Sequence, residues 1–81
     1  AASVDYALEY GRASIEMSDD LAPGIRVLLV DDILATGGTL HAGQQLLAEL
    51  DLALAGTAVL MELEGLGGQA ACGPVHSVFT V

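Results

Sequence analysis

The sequence predicts an α/β fold built on a partial parallel sheet, with a β-hairpin or flexible loop ahead of a βαβ unit. Three observations carry this reading. A short apolar run rich in β-branched residues, Ile25 to Val30, ends in two adjacent aspartates. Between Thr39 and Leu50 the hydrophobic pattern becomes helical. A second apolar run, Thr57 to Met61, follows. Strand, helix, strand in this order makes parallel strands joined by a right-handed crossover. The chain has 81 residues, enough for one small domain with a modest core. With 53% hydrophobic residues it is not a disordered segment.

Each element has its own signal. Val4, Tyr6 and Leu8 alternate with Asp5, Ala7 and Glu9, a short-strand pattern that Gly11 breaks. Ala13, Ile15 and Met17 alternate again with Ser14 and Glu16, so residues 6–17 are expected to form a hairpin or a mobile loop. Pro23-Gly24 marks a turn, with proline fixing one φ and glycine accepting a positive one. Ile25 to Val30, interrupted only by Arg26, reads as a strand buried on both faces. In the helix, Leu40, Gly43, Leu47 and Leu50 share one face with Leu46 beside them. Gln44, Gln45 and Glu49 fall largely on the other side, and Thr39 lies in the cap region. Residues 25–63 therefore form the βαβ unit. The glycine- and alanine-rich stretch Gly65 to Gly73 reads as a loop, and the alternation from Val75 to Val81 as a final strand.

Charge narrows the function. Eleven acidic residues face two basic ones, a formal net charge of -9. Nucleic acid and anionic membrane both need clustered Lys or Arg, so neither is an expected partner. An anionic ligand would have to be held by backbone amides, a helix terminus or a metal. Arg26, before the strand, is read as structural, and Arg12 as a solvated side chain. The isolated histidines His41 and His76 are read as structural too. The single cysteine, Cys72, permits no internal disulfide, in keeping with a reducing compartment, and is read as a small buried or loop residue. No apolar run approaches the roughly 20 residues that span a bilayer, and no basic segment marks a signal peptide. The chain opens on Ala1 and enters directly into patterned sequence, which suggests a fragment or a processed chain.

The chemistry concentrates in VLLVDDILATGGTL, residues 27–40. Ligands of open parallel sheets bind beyond the carboxyl ends of the strands, where the loop Asp31 to Thr39 would lie. Gly37 and Gly38 let backbone approach a ligand closely, so that several N–H groups converge on one phosphate at a helix start. The hydroxyls of Thr36 and Thr39 add donors. Asp31 and Asp32 repel phosphate but suit a polyol, whose hydroxyls donate to carboxylates, or a divalent cation. A sugar phosphate satisfies both halves. The loop is neither G-x-x-x-x-G-K nor G-x-G-x-x-G.

Residues 27–39, four apolar residues, the acidic pair, two more apolar residues and the small loop, resemble the phosphoribosyl diphosphate (PRPP) signature of type I phosphoribosyltransferases. Leu8-Glu9-Tyr10-Gly11 and the ATGGT form of the loop resemble the adenine enzymes rather than the orotate or hypoxanthine ones. Pro23-Gly24, Arg26-Val27, Leu46-Leu47, Leu63, Leu66 and Gly67 extend the likeness over most of the chain, which would be the carboxyl-terminal portion of a single phosphoribosyltransferase-type (Rossmann-like) domain.

The resemblance implies a transfer of the 5-phosphoribosyl group from PRPP to adenine, giving AMP and pyrophosphate in purine salvage. It implies that Asp31 and Asp32 hold the ribose hydroxyls and that Ala35, Thr36, Gly37, Gly38 and Thr39 bind the 5-phosphate. Glu9 would be the general acid/base at the purine, on a catalytic loop spanning residues 6–17, with Tyr10 beside it. Mg²⁺ is implied through PRPP, with Asp31 and Asp32 as candidate ligands, as are a homodimer and a cytoplasmic location. Another type I transferase, or a non-catalytic PRPP-binding regulatory module, is the alternative. The family's amino-terminal half supplies the purine hood, the first core strands and basic residues for pyrophosphate. Lacking these, the isolated chain is expected to leave a sheet edge unpaired, its core half-covered, and to have little or no activity.

Overall fold

The computed structural model describes residues 2–8, 11–17 and 21–81. Two strands, β1 (Ala2–Leu8) and β2 (Gly11–Met17), pair antiparallel as a hairpin, with Ala2 opposite Met17 and Leu8 opposite Gly11. The paired strands begin earlier than residue 6, where the sequence placed the start of the hairpin or mobile loop. After the Pro23-Gly24 turn, where Gly24 has φ 85°, the chain forms β3 (Arg26–Leu34), α1 (Gly38–Glu49), β4 (Ala53–Glu62), α2 (Gly68–Cys72) and β5 (His76–Thr80). The last three strands make one parallel sheet in the order β3-β4-β5. The βαβ unit is therefore present, followed by a second, shorter crossover.

α1 forms where leucines recur at helical spacing, and it buries the face they define. Leu40, Ala42, Gly43, Leu46 and Leu47 are all buried. Leu34, Leu40, Val59 and Cys72 form the core between β3, β4, α1 and α2, with Leu29 and Val75 packed against them. Turning the chain back into β4 places Asp51 at φ 57°, and the Gly24 amide donates to its carbonyl at 2.7 Å. This bond ties the Pro-Gly turn to the end of the helix. The hairpin lies alongside α1.

Four expectations need correction. First, β3 is not buried on both faces. Val27 and Leu29 are half-buried under α1, while Leu28 and Val30 are 61% and 64% exposed. Leu60 on β4 and Val78 on β5 are exposed as well. One sheet face is covered by helices, and the described residues leave the other open. Second, residues 65–73 are not all loop. The second crossover needs a connecting element, and Gly68–Cys72 supplies it as a one-turn helix. Third, Gln44 is not on the solvent side. It is half-buried, and its Nε2 donates to the Cys72 carbonyl at 2.7 Å. An amide long enough to cross to α2 satisfies a carbonyl at the end of that helix, which polarity alone does not foretell. Fourth, the helix is capped by Gly37 in the left-handed conformation rather than by Thr39, which falls in the first turn.

Candidate functional site

The acid pair lies near the carboxyl end of β3 rather than opening a loop. Hydrogen bonding to β4 continues through Leu34, so Asp31 and Asp32 are strand residues at its carboxyl end. Burial alternates along β3 as far as Asp32 and then reverses, with Ile33 exposed and Leu34 fully buried. Asp31 lies opposite Val59 and is half-buried; Asp32 is exposed. The Asp32 amide donates to Asp31 Oδ1 at 2.8 Å, which orients that carboxylate along the backbone. Burial is the largest influence on Asp31 and pushes its carboxyl above the usual aspartate range. The Asp32 backbone bond acts against this, and the Asp32 carboxyl, by contact and by charge, adds to the rise.

Residues 35–37 bend between β3 and α1. Gly37 adopts φ 89°, a value glycine takes without penalty, and this turn starts the helix with no side chain serving as its cap. The amide end of a twelve-residue helix then faces the loop, and its dipole favours negative charge there. Residues 31–40 together line one cavity of about 450 Å³. The acid pair and the glycine loop, adjacent in sequence, are thereby brought to one pocket together with the first turn of α1. Residues 31–40 contain no Lys or Arg, so an anion in this pocket would be held by backbone amides and by the Thr36 and Thr39 hydroxyls.

Glu9 and Tyr10 lie outside the described residues. Arg26 is exposed at the start of β3, at the opposite end of the strand from the acid pair, while His41 is exposed in the first turn of α1 and His76 at the start of β5. Cys72 is buried at the end of α2, and burial raises its thiol above the ordinary range, which disfavours a nucleophilic thiolate. Two groups beside the site escaped the sequence reading. Glu62, at the carboxyl end of β4 and paired with Leu34, accepts from Gln69 Nε2 at 2.8 Å and from Ser77 Oγ at 2.7 Å. Gly68, at the start of α2, packs against Leu34 and Ala35. The signal for Gly68 was the Gly67-Gly68 pair, which also fits an ordinary loop; Glu62 carried no signal.

A parallel strand that carries an acid pair near its carboxyl end and turns through glycines into a helix is a frame suited to a sugar phosphate. Residues 9–73 match the phosphoribosyl transferase domain, and the chain belongs to that family. The adenine phosphoribosyltransferase of Xanthomonas axonopodis pv. citri (strain 306) is 59% identical over 66 residues, 80% of this chain and 36% of the relative. The crystal structure of adenine phosphoribosyltransferase from Thermoanaerobacter pseudethanolicus ATCC 33223 matches 99% of this chain with a TM-score of 0.92 and 36% identity, over 48% of its own length. The Saccharomyces cerevisiae enzyme, complexed with an imino-altritol bisphosphate and adenine, matches 95% of this chain with a TM-score of 0.87 and 33% identity, over 45% of its length. The chain thus spans between about a third and a half of these relatives.

Proposed function

We propose that this chain is the carboxyl-terminal portion of an adenine phosphoribosyltransferase domain and supplies its phosphoribosyl grip. The observation that carries the reading is the single pocket shared by Asp31, Asp32 and the 35–39 loop. Support for adenine as the acceptor comes from the relatives at 52–59% identity, which bear that name. The reaction is displacement of pyrophosphate from C1 of PRPP by adenine, giving AMP.

The residues divide the substrate between them. Ala35, Thr36, Gly37, Gly38 and Thr39 hold the 5-phosphate through amides and hydroxyls. Asp31 and Asp32 accept hydrogen bonds from the ribose hydroxyls and fix the ring. As the bond from C1 to pyrophosphate breaks, positive charge grows on the ring. Two nearby carboxylates favour that charge more than they favour the neutral ground state. Glu9 is assigned the proton exchange at the purine, with Tyr10 beside it; this assignment rests on the Leu8-Glu9-Tyr10-Gly11 resemblance. The donor set fits Mg²⁺ only in part. Two carboxylates are suitable hard oxygen donors, but the described residues contain no group of three or more metal-binding side chains. Mg²⁺ would therefore take most of its ligands from the sugar, the pyrophosphate and water, and would supply charge neutralisation of the leaving group. We extend the proposal to a homodimer in the cytoplasm as the working form of the whole protein. No helix among the described residues is long and apolar enough to cross a membrane.

A base panel tests the reading. The complete protein carrying this sequence is expected to form AMP from adenine and PRPP, with adenine preferred over hypoxanthine, guanine and orotate. Preference for another base would assign it to a different transferase of the family. Tight PRPP binding with no turnover of any base would make it a regulatory module.

A further inference from the structure

α2 meets the glycine loop at bare backbone from both sides. A Cβ built on Gly37 would stand 2.6 Å from the Gly68 carbonyl oxygen and 2.9 Å from the Ala71 Cβ. A Cβ built on Gly68 would stand 2.6 Å from Leu34 Cγ and 2.7 Å from the Ala35 carbonyl oxygen. Such separations lie below ordinary contact distances, so neither position has room for a side chain. Gly68 is not among the glycines with positive φ. Its requirement is therefore space, not backbone freedom. Residues 35–37 belong to neither strand nor helix, so what packs beneath them sets where their peptides lie.

We propose that Gly68 and Ala71 are positioning residues for the 35–39 loop, with α2 acting as its floor. The inference rests on the reading of that loop as the 5-phosphate cradle. Amides must converge on one phosphate, and a displacement of order 1 Å from a residue that never touches the ligand is enough to cost heavily. Contact through backbone and a single methyl sets the loop height without rotamer freedom. Ala71 separates this role from mere core packing. It is exposed, so volume added there lies outside the core, and its Cβ is the side-chain atom nearest the Cβ that Gly37 would carry.

The test compares Ala71→Val, Gly68→Ala and Gly43→Ala in the complete protein, reading KM for PRPP, KM for adenine, kcat and melting temperature. Gly43 serves as a control, because the three atoms nearest its Cβ would all belong to the Leu29 side chain, on the sheet face of α1. Ala71→Val is expected to raise the PRPP KM roughly tenfold or more, leaving the adenine KM and kcat at saturating PRPP within about twofold and the melting temperature unchanged. Gly68→Ala is expected to do the same with some loss of stability, and Gly43→Ala to leave both KM values alone. Should Gly68→Ala fail to fold, Ala71→Val decides. An unchanged PRPP KM in Ala71→Val, beside a wild-type protein that turns over PRPP, overturns this inference alone. So does a rise shared equally by both KM values. A wild-type protein that binds no PRPP overturns this inference together with the proposed function.

Discussion

Asp31 carries two opposed demands, and its protonation reports them. A half-buried carboxylate beside another carboxylate is held above the usual aspartate range. In the proposed site its charged form would accept from sugar hydroxyls, and once protonated it would lose part of that capacity. PRPP affinity is therefore expected to fall on the acid side while ordinary aspartates are still ionised. Titrations across pH should show this limb in the wild type and lose it in Asp31→Asn. The stability effect has the opposite sense. Because the folded-state value is raised, the contribution of Asp31 to stability is present at low pH and is lost as pH rises through that value. Asp31→Asn should therefore melt slightly higher than wild type at neutral pH while binding PRPP less well. Gly37 makes a second residue-scale case. Gly37→Ala adds left-handed strain and places a Cβ against Gly68 and Ala71. A loss of about 1–3 kcal/mol from strain, before the contact is counted, is expected in denaturant unfolding.

At the scale of elements, the carboxyl edge of the sheet is fastened by polar groups whose roles no pattern reveals. Glu62 joins β4 to α2 through Gln69 and to β5 through Ser77. The Ser77 bond is the larger cause, and the Gln69 bond the next, of a Glu62 carboxyl held below the usual glutamate range. A depressed folded-state value gives a contribution that is present above the ordinary glutamate range and disappears as pH falls through the depressed one. Ser77→Ala should return the Glu62 titration toward the ordinary range, which NMR of its side chain would detect. Gln44 is a stronger fastening. Truncating it leaves the Cys72 carbonyl without its 2.7 Å partner, and Gln44→Ala is expected to cost about 1–3 kcal/mol.

These elements also show what could be read in the sequence. α1 was legible because one face of a helix bears a leucine stripe, β3 because its short apolar run is rich in β-branched residues, and β4 because small apolar residues follow the helix. α2 was not, because one turn of Gly-Gln-Ala-Ala-Cys is too short to show a period. The acid pair and the glycine loop were legible as neighbours in one pocket, since both lie within nine residues of sequence. What the sequence concealed was their support, Gly68 and Ala71, which reaches the loop only through the second crossover. Helical periodicity also misplaced Gln44, since a polar side chain on a helix flank can turn inward when a carbonyl waits there.

Over the whole molecule, one sheet face lacks a cover among the described residues. The open face displays Leu28, Val30, Leu60 and Val78 across three strands. A run written for burial on both sides has thus found only one side. The chain spans less than half of its named relatives, and such an apolar sheet face, unlike scattered exposed leucines, invites association. The isolated 81-residue chain is expected to bind a hydrophobic dye or self-associate, and to form little or no AMP from adenine and PRPP. Sedimentation and an AMP assay on that chain check both points. Substantial AMP formation by it would show that the pocket needs no further polypeptide.

Whether the end of β3 and the start of α1 form one phosphoribosyl grip is decided by titrating PRPP into the complete protein with and without its acid pair. The wild type is expected to bind. Asp31→Asn with Asp32→Asn should weaken binding by roughly a hundredfold, as two charge-assisted contacts are lost, without unfolding the protein. Equal PRPP affinity in the two proteins would contradict the assignment of the site.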